Sequence, residues 1–298
     1  MGGVAAVAGP GVTLAAAAPA GKLLMRRIPS SGEMIPAIGL GTSGPFEVGA
    51  DETARAPLRE VLRAFFDGGA ALIDTSPMYS TAEAVLGDLL TREQQDKAFI
   101  ATKVWTPGSG GHGEQKGIEQ MQRSMALLKR KRIELMQVHN LVDVDAHLKT
   151  LQRWKAEGRI KYIGVTHYTT SSYPDLIAII QREKLDFVQF NYSVTTREAE
   201  KRLLPLCMDK GVAVLVNRAF EDGDLFTKVQ GRTLPAWAAD FGAKSWAQVL
   251  LKFVLAHPAV TSVIPATGKL RNLNDNLAAA TGPLPDAKQR ARIAAEFK

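Results

Sequence analysis

The sequence predicts an α/β fold, a (β/α)8 TIM barrel with an N-terminal β-hairpin and an extra helix at its C-terminal end. Three observations predict it. Eight short β-rich runs alternate with amphipathic helical stretches from residue 23 onward. No linker composition interrupts them, so residues 23–298 read as one domain of ordinary barrel length. Polar and ionisable residues gather where the runs end, which is where a barrel carries its chemistry.

The hairpin comes first: MRRIPSSGEMIP reads as two strands around a Ser-Ser-Gly turn. Strand candidates then follow at IPAIGLGT, 71–75, 98–104, 134–140, 162–168, 187–193, 213–218 and 261–267. Between them, REVLRAFFDGG places Val61, Leu62, Phe65 and Phe66 at helical spacing and stops at Gly68-Gly69. TAEAVLGDLL, IEQMQRSMALLK, DAHLKTLQRWKAEG, YPDLIAIIQRE, AEKRLLPLCMDKG, SWAQVLLKFVLAH and LRNLNDNLAAA fill the other gaps, and DAKQRARIAAEFK supplies the extra helix.

Composition narrows the function. Hydrophobic residues at 46% and charged residues at 22% are soluble-globular values. The net charge of +7 has its densest run at Lys129–Arg132, between a helix and a strand, and reads as a solvated turn. No aromatic-plus-basic pattern or zinc-finger spacing supports nucleic-acid binding. The single cysteine, Cys207, excludes an intrachain disulfide and sits among apolar neighbours as a small buried hydrophobe. His112, His147 and His257 lack partners at ligand spacing, so no metal site is expected. Trp154, Trp237 and Trp246 read as packing residues. No membrane span is expected, and no feature speaks to oligomeric state.

Residues 1–22 differ in kind. The first twenty carry no charged side chain and end in small residues, resembling the apolar region and cleavage site of an export signal without its basic segment. A twin-arginine leader whose Arg-Arg pair lies upstream would make the protein periplasmic. The alternative is a disordered Ala/Gly tail on a cytoplasmic protein.

The polar strand ends are Thr42, Asp74, Lys103, His139-Asn140, Thr166-His167, Gln189, Asn217-Arg218 and Thr267. Asp74, Lys103 and His139 close consecutive candidate strands, and adjacent strands lie about 4.8 Å apart, so their side chains converge. Tyr79 follows Asp74 in a loop broken by Pro77. A phenol titrating near pH 10 is a poor acid, and a lysine ammonium beside it is expected to lower that value. Asp74 keeps the buried lysine charged, and His139 donates to a substrate oxygen. The set suits protonation of a carbonyl oxygen as hydride reaches its carbon, with the hydride coming from a cofactor.

IDTSPMYSTAEAVLG resembles the aldo/keto reductase signature, with Ser76 and Ser80 at its usual Ala and Gly. TKVW, QVHN and KAEGRIKYIGVTHY resemble that family's later segments in the same order. The resemblance implies an extended NADPH, favoured over NADH, with Tyr79 as general acid, Asp74 and Lys103 tuning it, and His139 orienting a small carbonyl substrate. Thr166, His167 and Gln189 match the positions that hold the nicotinamide carboxamide, His167 replacing the usual Asn. Asn217 stands where an aromatic ring normally stacks, leaving Arg218 to reach the pyrophosphate. Lys269 and Arg271 match the 2′-phosphate segment, Asp275 and Asn276 the adenine contacts, and Thr42 and Thr267 complete the cofactor set. Phe46, Met78, Trp105 and Asn140 are expected to line the substrate pocket, with no long C-terminal loop to narrow it.

The loop TPGSGGHGEQKG after Trp105 lacks a P-loop's Gly-Lys-Ser/Thr ending and reads as a mobile cover. Two other functions fit parts of the pattern: a Schiff-base aldolase using Lys103, and an NADPH-binding sensor with little turnover.

Overall fold

The computed structural model describes residues 21–108 and 113–298. The leader-like segment, apart from Gly21 and Lys22, and the tip of the loop after Trp105 with His112 lie outside the described residues.

Strands β1 (Met25–Arg27) and β2 (Met34–Pro36) form the expected antiparallel hairpin. Gly32, at φ 81°, turns the chain between them in a conformation that a side chain disfavours. Ile28 and Ile35 bury beside Leu72, Phe99, Leu135, Phe187 and Leu215 of the barrel strands, so the hairpin plugs one end of the barrel.

The barrel strands are β3 (Leu40–Gly41), β4 (Leu72–Asp74), β5 (Phe99–Val104), β6 (Ile133–His139), β7 (Ile160–Thr166), β8 (Phe187–Asn191), β9 (Ala213–Asn217) and β10 (Val260–Val263). All pair in parallel, each with its sequence neighbours. Parallel bridges Ile38↔Val263 and Gly41↔Ala266 bring the first strand against the last and close the ring. Glycine is required there, because a Cβ on Gly41 would stand 2.7 Å from the Ile264 carbonyl oxygen. The last run, expected to reach 267, is strand only to Val263; Pro265 just beyond it has no N–H for a ladder.

Each expected helical stretch forms: α1 (Glu52–Asp67), α2 (Ala82–Leu89), then, past an additional short helix α3 (Arg92–Lys97), α4 (Glu114–Leu127), α5 (Val144–Ala156), α6 (Tyr173–Arg182) and α7 (Leu203–Lys210). A second unforeseen helix, α8 (Asp224–Lys228), precedes α9 (Trp246–Leu255), α10 (Leu270–Ala279) and α11 (Ala287–Ala295). The sequence REQQDK of α3 buries no residue and so shows no apolar stripe. A capping box, Thr91 with Gln94, starts it instead.

The bland readings hold in detail. Cys207 is buried, and burial pushes its thiol up to about 12, far from a nucleophile's range. In the basic run, Lys129 pairs with Asp88 and Arg130 with Glu134. Trp154 and Trp237 are buried; Trp237 lies in a 3₁₀ turn, Ala236–Phe241. No helix among the described residues is long and apolar enough to cross a membrane.

Candidate active site

Strand register builds the site. Asp74 pairs with Ala101, two residues before Lys103; Lys103 pairs with Gln137, two before His139; His139 pairs with Thr166, and Thr166 with Gln189. The polar residues therefore share one end of the barrel. Thr42 donates through its N–H (3.1 Å) and its hydroxyl (3.0 Å) to the Asp74 carbonyl, fixing the backbone that carries the carboxylate.

Lys103 is fully buried and donates to Asp74 Oδ2 (2.7 Å) and the Thr75 carbonyl (2.8 Å). Burial disfavours its charge, but Asp74 and Tyr79 outweigh burial and hold its pKa above the ordinary lysine value. Its ammonium stands 4.9 Å from the centroid of the Tyr79 ring. The expected lowering of the Tyr79 pKa is not the net result. Burial raises it, and the opposing pull of Lys103 is too small to restore the ordinary value. Tyr79 is thus a protonated phenol at neutral pH, the form able to give a proton.

The Tyr79 and His139 rings meet edge to face, centroids 6.0 Å apart and planes at 90°. Burial, followed by the charge of Lys103, pushes the His139 pKa down to about 3, so the imidazole is neutral. Ser76 Oγ lies 3.0 Å from His139 Nδ1 and accepts from the Met78 N–H at 3.1 Å. Ser80 sits at φ 44°, the left-handed region that the signature's usual glycine occupies without strain.

Gln189 is turned inward. Its amide donates to Asp74 Oδ1 (2.8 Å), and its carbonyl accepts from Thr166 Oγ1 (3.1 Å) and Asn217 Nδ2 (3.3 Å). Thr166 and Gln189, the residues expected at the carboxamide, thus bond to one another, and Gln189 bonds on to Asp74. Asn217 also donates to the His167 carbonyl (3.1 Å), while its own Oδ1 is buried without a partner. His167 Nδ1 accepts from the N–H groups of Tyr168 and Thr169, and its ring stacks on Tyr168. Arg218 lies over the other aromatic residue of this stack, 4.6 Å from the Tyr168 centroid, and pairs with Asp222 at 3.0 Å.

Of the expected pocket residues, Met78 is exposed and Trp105 and Asn140 are partly exposed. Phe46 is 0% exposed and packs in the hydrophobic core. Thr42 is fully buried, with its hydroxyl spent on the Asp74 carbonyl.

A dinucleotide fits the rest of this face. α10 starts without a side-chain cap, and Lys269 and Arg271, both exposed, stand at its first turn with no carboxylate within 4.0 Å among the described residues. Uncapped helix amides with adjacent cations suit phosphate. The unpartnered Asn217 Oδ1 suits a carboxamide N–H. Of the expected adenine contacts, Asp275 accepts from Ser245 Oγ (2.7 Å) and Gln248 Nε2 (2.6 Å), which tie α10 to α9, and Asn276 is buried.

The aldo/keto reductase family model matches residues 37–295, nearly the whole described barrel. The chain belongs to the aldo/keto reductase family. Methylglyoxal reductase YeaE of Escherichia coli is 27% identical over 259 residues, covering 85% of this chain and 88% of that protein. Aldo-keto reductase YhdN of Bacillus subtilis is 27% identical over 193 residues, 60% of this chain and 56% of that one. An aldo/keto reductase from Klebsiella pneumoniae, solved with NADP and acetate, superposes at a TM-score of 0.74 with 24% identity, over 92% of this chain and 94% of that one. Membership makes this aldo/keto reductase an NAD(P)H-dependent oxidoreductase.

Sequence reading missed the contact of Ser76 with His139 and the partnership of Gln189 with Asp74. The serine was visible as a departure from the signature; its contact with a residue 63 positions away was not.

Proposed function

We propose that this protein reduces the carbonyl of a small aldehyde or ketone to an alcohol, using NADPH, with Tyr79 as the proton donor. The observation that carries the reading is a half-buried, protonated tyrosine set against a lysine–carboxylate pair and a neutral histidine. The dinucleotide supplies the hydride.

Tyr79 holds the proton that the carbonyl oxygen needs as it gains charge. Lys103 faces the ring and stabilises the phenolate left behind, and Asp74 keeps that lysine charged. His139, neutral, can donate one N–H to the carbonyl oxygen and orient it. Lys269 and Arg271 offer two cations to the 2′-phosphate that distinguishes NADPH from NADH. Met78, Trp105 and Asn140 form an apolar-and-amide rim for a small substrate. The E. coli relative named for methylglyoxal makes small oxoaldehydes the first substrates to try.

Consumption of NADPH against a panel of aldehydes and ketones tests the reading, with Tyr79→Phe as the control. Wild type turns over and the variant binds NADPH without turning over. Turnover retained by Tyr79→Phe refutes the assigned acid, and NADPH binding without turnover by wild type would mark a sensor.

A further inference from the structure

We propose that Ser76 is a positioning residue that fixes the tautomer of His139, leaving Nδ1 bare and the proton on Nε2, the nitrogen then free to donate to a substrate oxygen. The proposal rests on the carbonyl-reduction reading for its functional consequence, but the tautomer itself is a property of the protein alone.

A neutral imidazole carries one N–H and one bare nitrogen, and which is which depends on the partner of each. His139 is 6% exposed, and Ser76 is fully buried. The hydroxyl of Ser76 accepts from the Met78 N–H at 3.1 Å and so has one role already decided. Its own proton must go to an acceptor, because a buried hydroxyl proton without one costs about 1–3 kcal/mol. Among the described residues, the acceptor in reach of that hydroxyl is His139 Nδ1, at 3.0 Å. The alternative tautomer would place an N–H against the hydroxyl and leave the serine proton unpaired.

The same residue ties the acid to the histidine. The Ser76 carbonyl accepts from the Tyr79 N–H at 3.0 Å, so the short loop Ser76–Tyr79 is braced by one side-chain and one backbone bond. The Tyr79 ring then packs edge-on against His139. An alanine at position 76, the residue usual in the signature, keeps the loop carbonyl but offers nothing to Nδ1. This chain has a lock on its histidine that the common pattern lacks.

Nitrogen-15 NMR of histidine-labelled protein tests it, with the His139 signals assigned by their loss in His139→Asn. Wild type should show a bare Nδ1 and a protonated Nε2, from neutral pH down to the onset of acid unfolding. Ser76→Ala should show a mixture of tautomers, and Ser76→Thr, which restores a hydroxyl, should return the single form. With the best carbonyl substrate, Ser76→Ala should lower kcat/KM about tenfold, the worth of one hydrogen bond, with NADPH affinity unchanged and activity recovered in Ser76→Thr. A protonated Nδ1 in wild type overturns the proposal, and so does a tautomer unaltered by Ser76→Ala. The wild-type spectrum decides the matter even if Ser76→Ala does not fold. A correct tautomer in a protein that reduces no carbonyl would sustain the role of Ser76 and refute the reaction.

Discussion

The side-chain amide of Gln189 donates to Asp74 Oδ1 over 2.8 Å, across the barrel from β8 to β4. The carboxylate that holds Lys103 through Oδ2 is thus itself held through its other oxygen. Asp74 has no freedom to follow solvent, and its charge is aimed at the lysine.

Breaking that arrangement from the carboxylate side should be costly. Asp74→Asn leaves the fully buried Lys103 ammonium without its counter-charge. Removing one partner of a buried ion pair typically costs about 3–5 kcal/mol. A urea melt of Asp74→Asn should show a loss of that size, together with loss of reduction; an unchanged midpoint would mean that Lys103 is not charged in the native state.

The pH profile follows from two shifted groups. Reduction needs protonated Tyr79, and burial raises its pKa, so the reduction rate should show no alkaline loss up to about pH 10. The reverse reaction needs the phenolate and should climb with pH through the alkaline range. His139, held at about 3, should add no inflection near the ordinary histidine value. Single-turnover rates in both directions check all three; an acid limb centred near 6.5, that ordinary value, would show that His139 titrates.

Cofactor choice is expected to reside at the start of α10. Replacing Lys269 and Arg271 together by alanine should weaken NADPH by about a hundredfold or more, since each charged contact is worth about 1.5–3 kcal/mol, and leave NADH nearly unaffected. Fluorescence titration with both cofactors measures the two losses. Equal losses would place the reading of the 2′-phosphate elsewhere.

Phe46 separates packing from recognition. Phe46→Ala should cost about 3–5 kcal/mol of stability, the usual result of emptying a buried aromatic site. Its ranking of carbonyl substrates should not change. A reordered ranking with normal thermal stability would return Phe46 to the pocket.

Periodicity made the barrel legible because a strand buried between helices must be apolar and short, and a covering helix must carry one apolar stripe. The helix α3 escaped because a six-residue charged helix with no buried face leaves no periodic trace; its capping box was the only local sign. Asp74, Lys103 and His139 stood out because ionisable residues closed consecutive candidate strands, and Tyr79 because it follows Asp74 in the next loop. Phe46, Thr42 and Asp275 could not be placed, since a position near a strand end or helix start does not say whether the side chain points to solvent or into the protein.

The amino-acid sequence by itself determined the alternation of strands and helices, the family and the four side chains proposed to react. Those depend on residue type and spacing along the chain. Only the tertiary structure decided that Gln189 serves Asp74, that Tyr79 stays protonated beside Lys103, and that Ser76 faces His139 Nδ1. Each of these depends on burial and on contacts between strands distant in sequence, where removal of water makes every hydrogen-bond partner count.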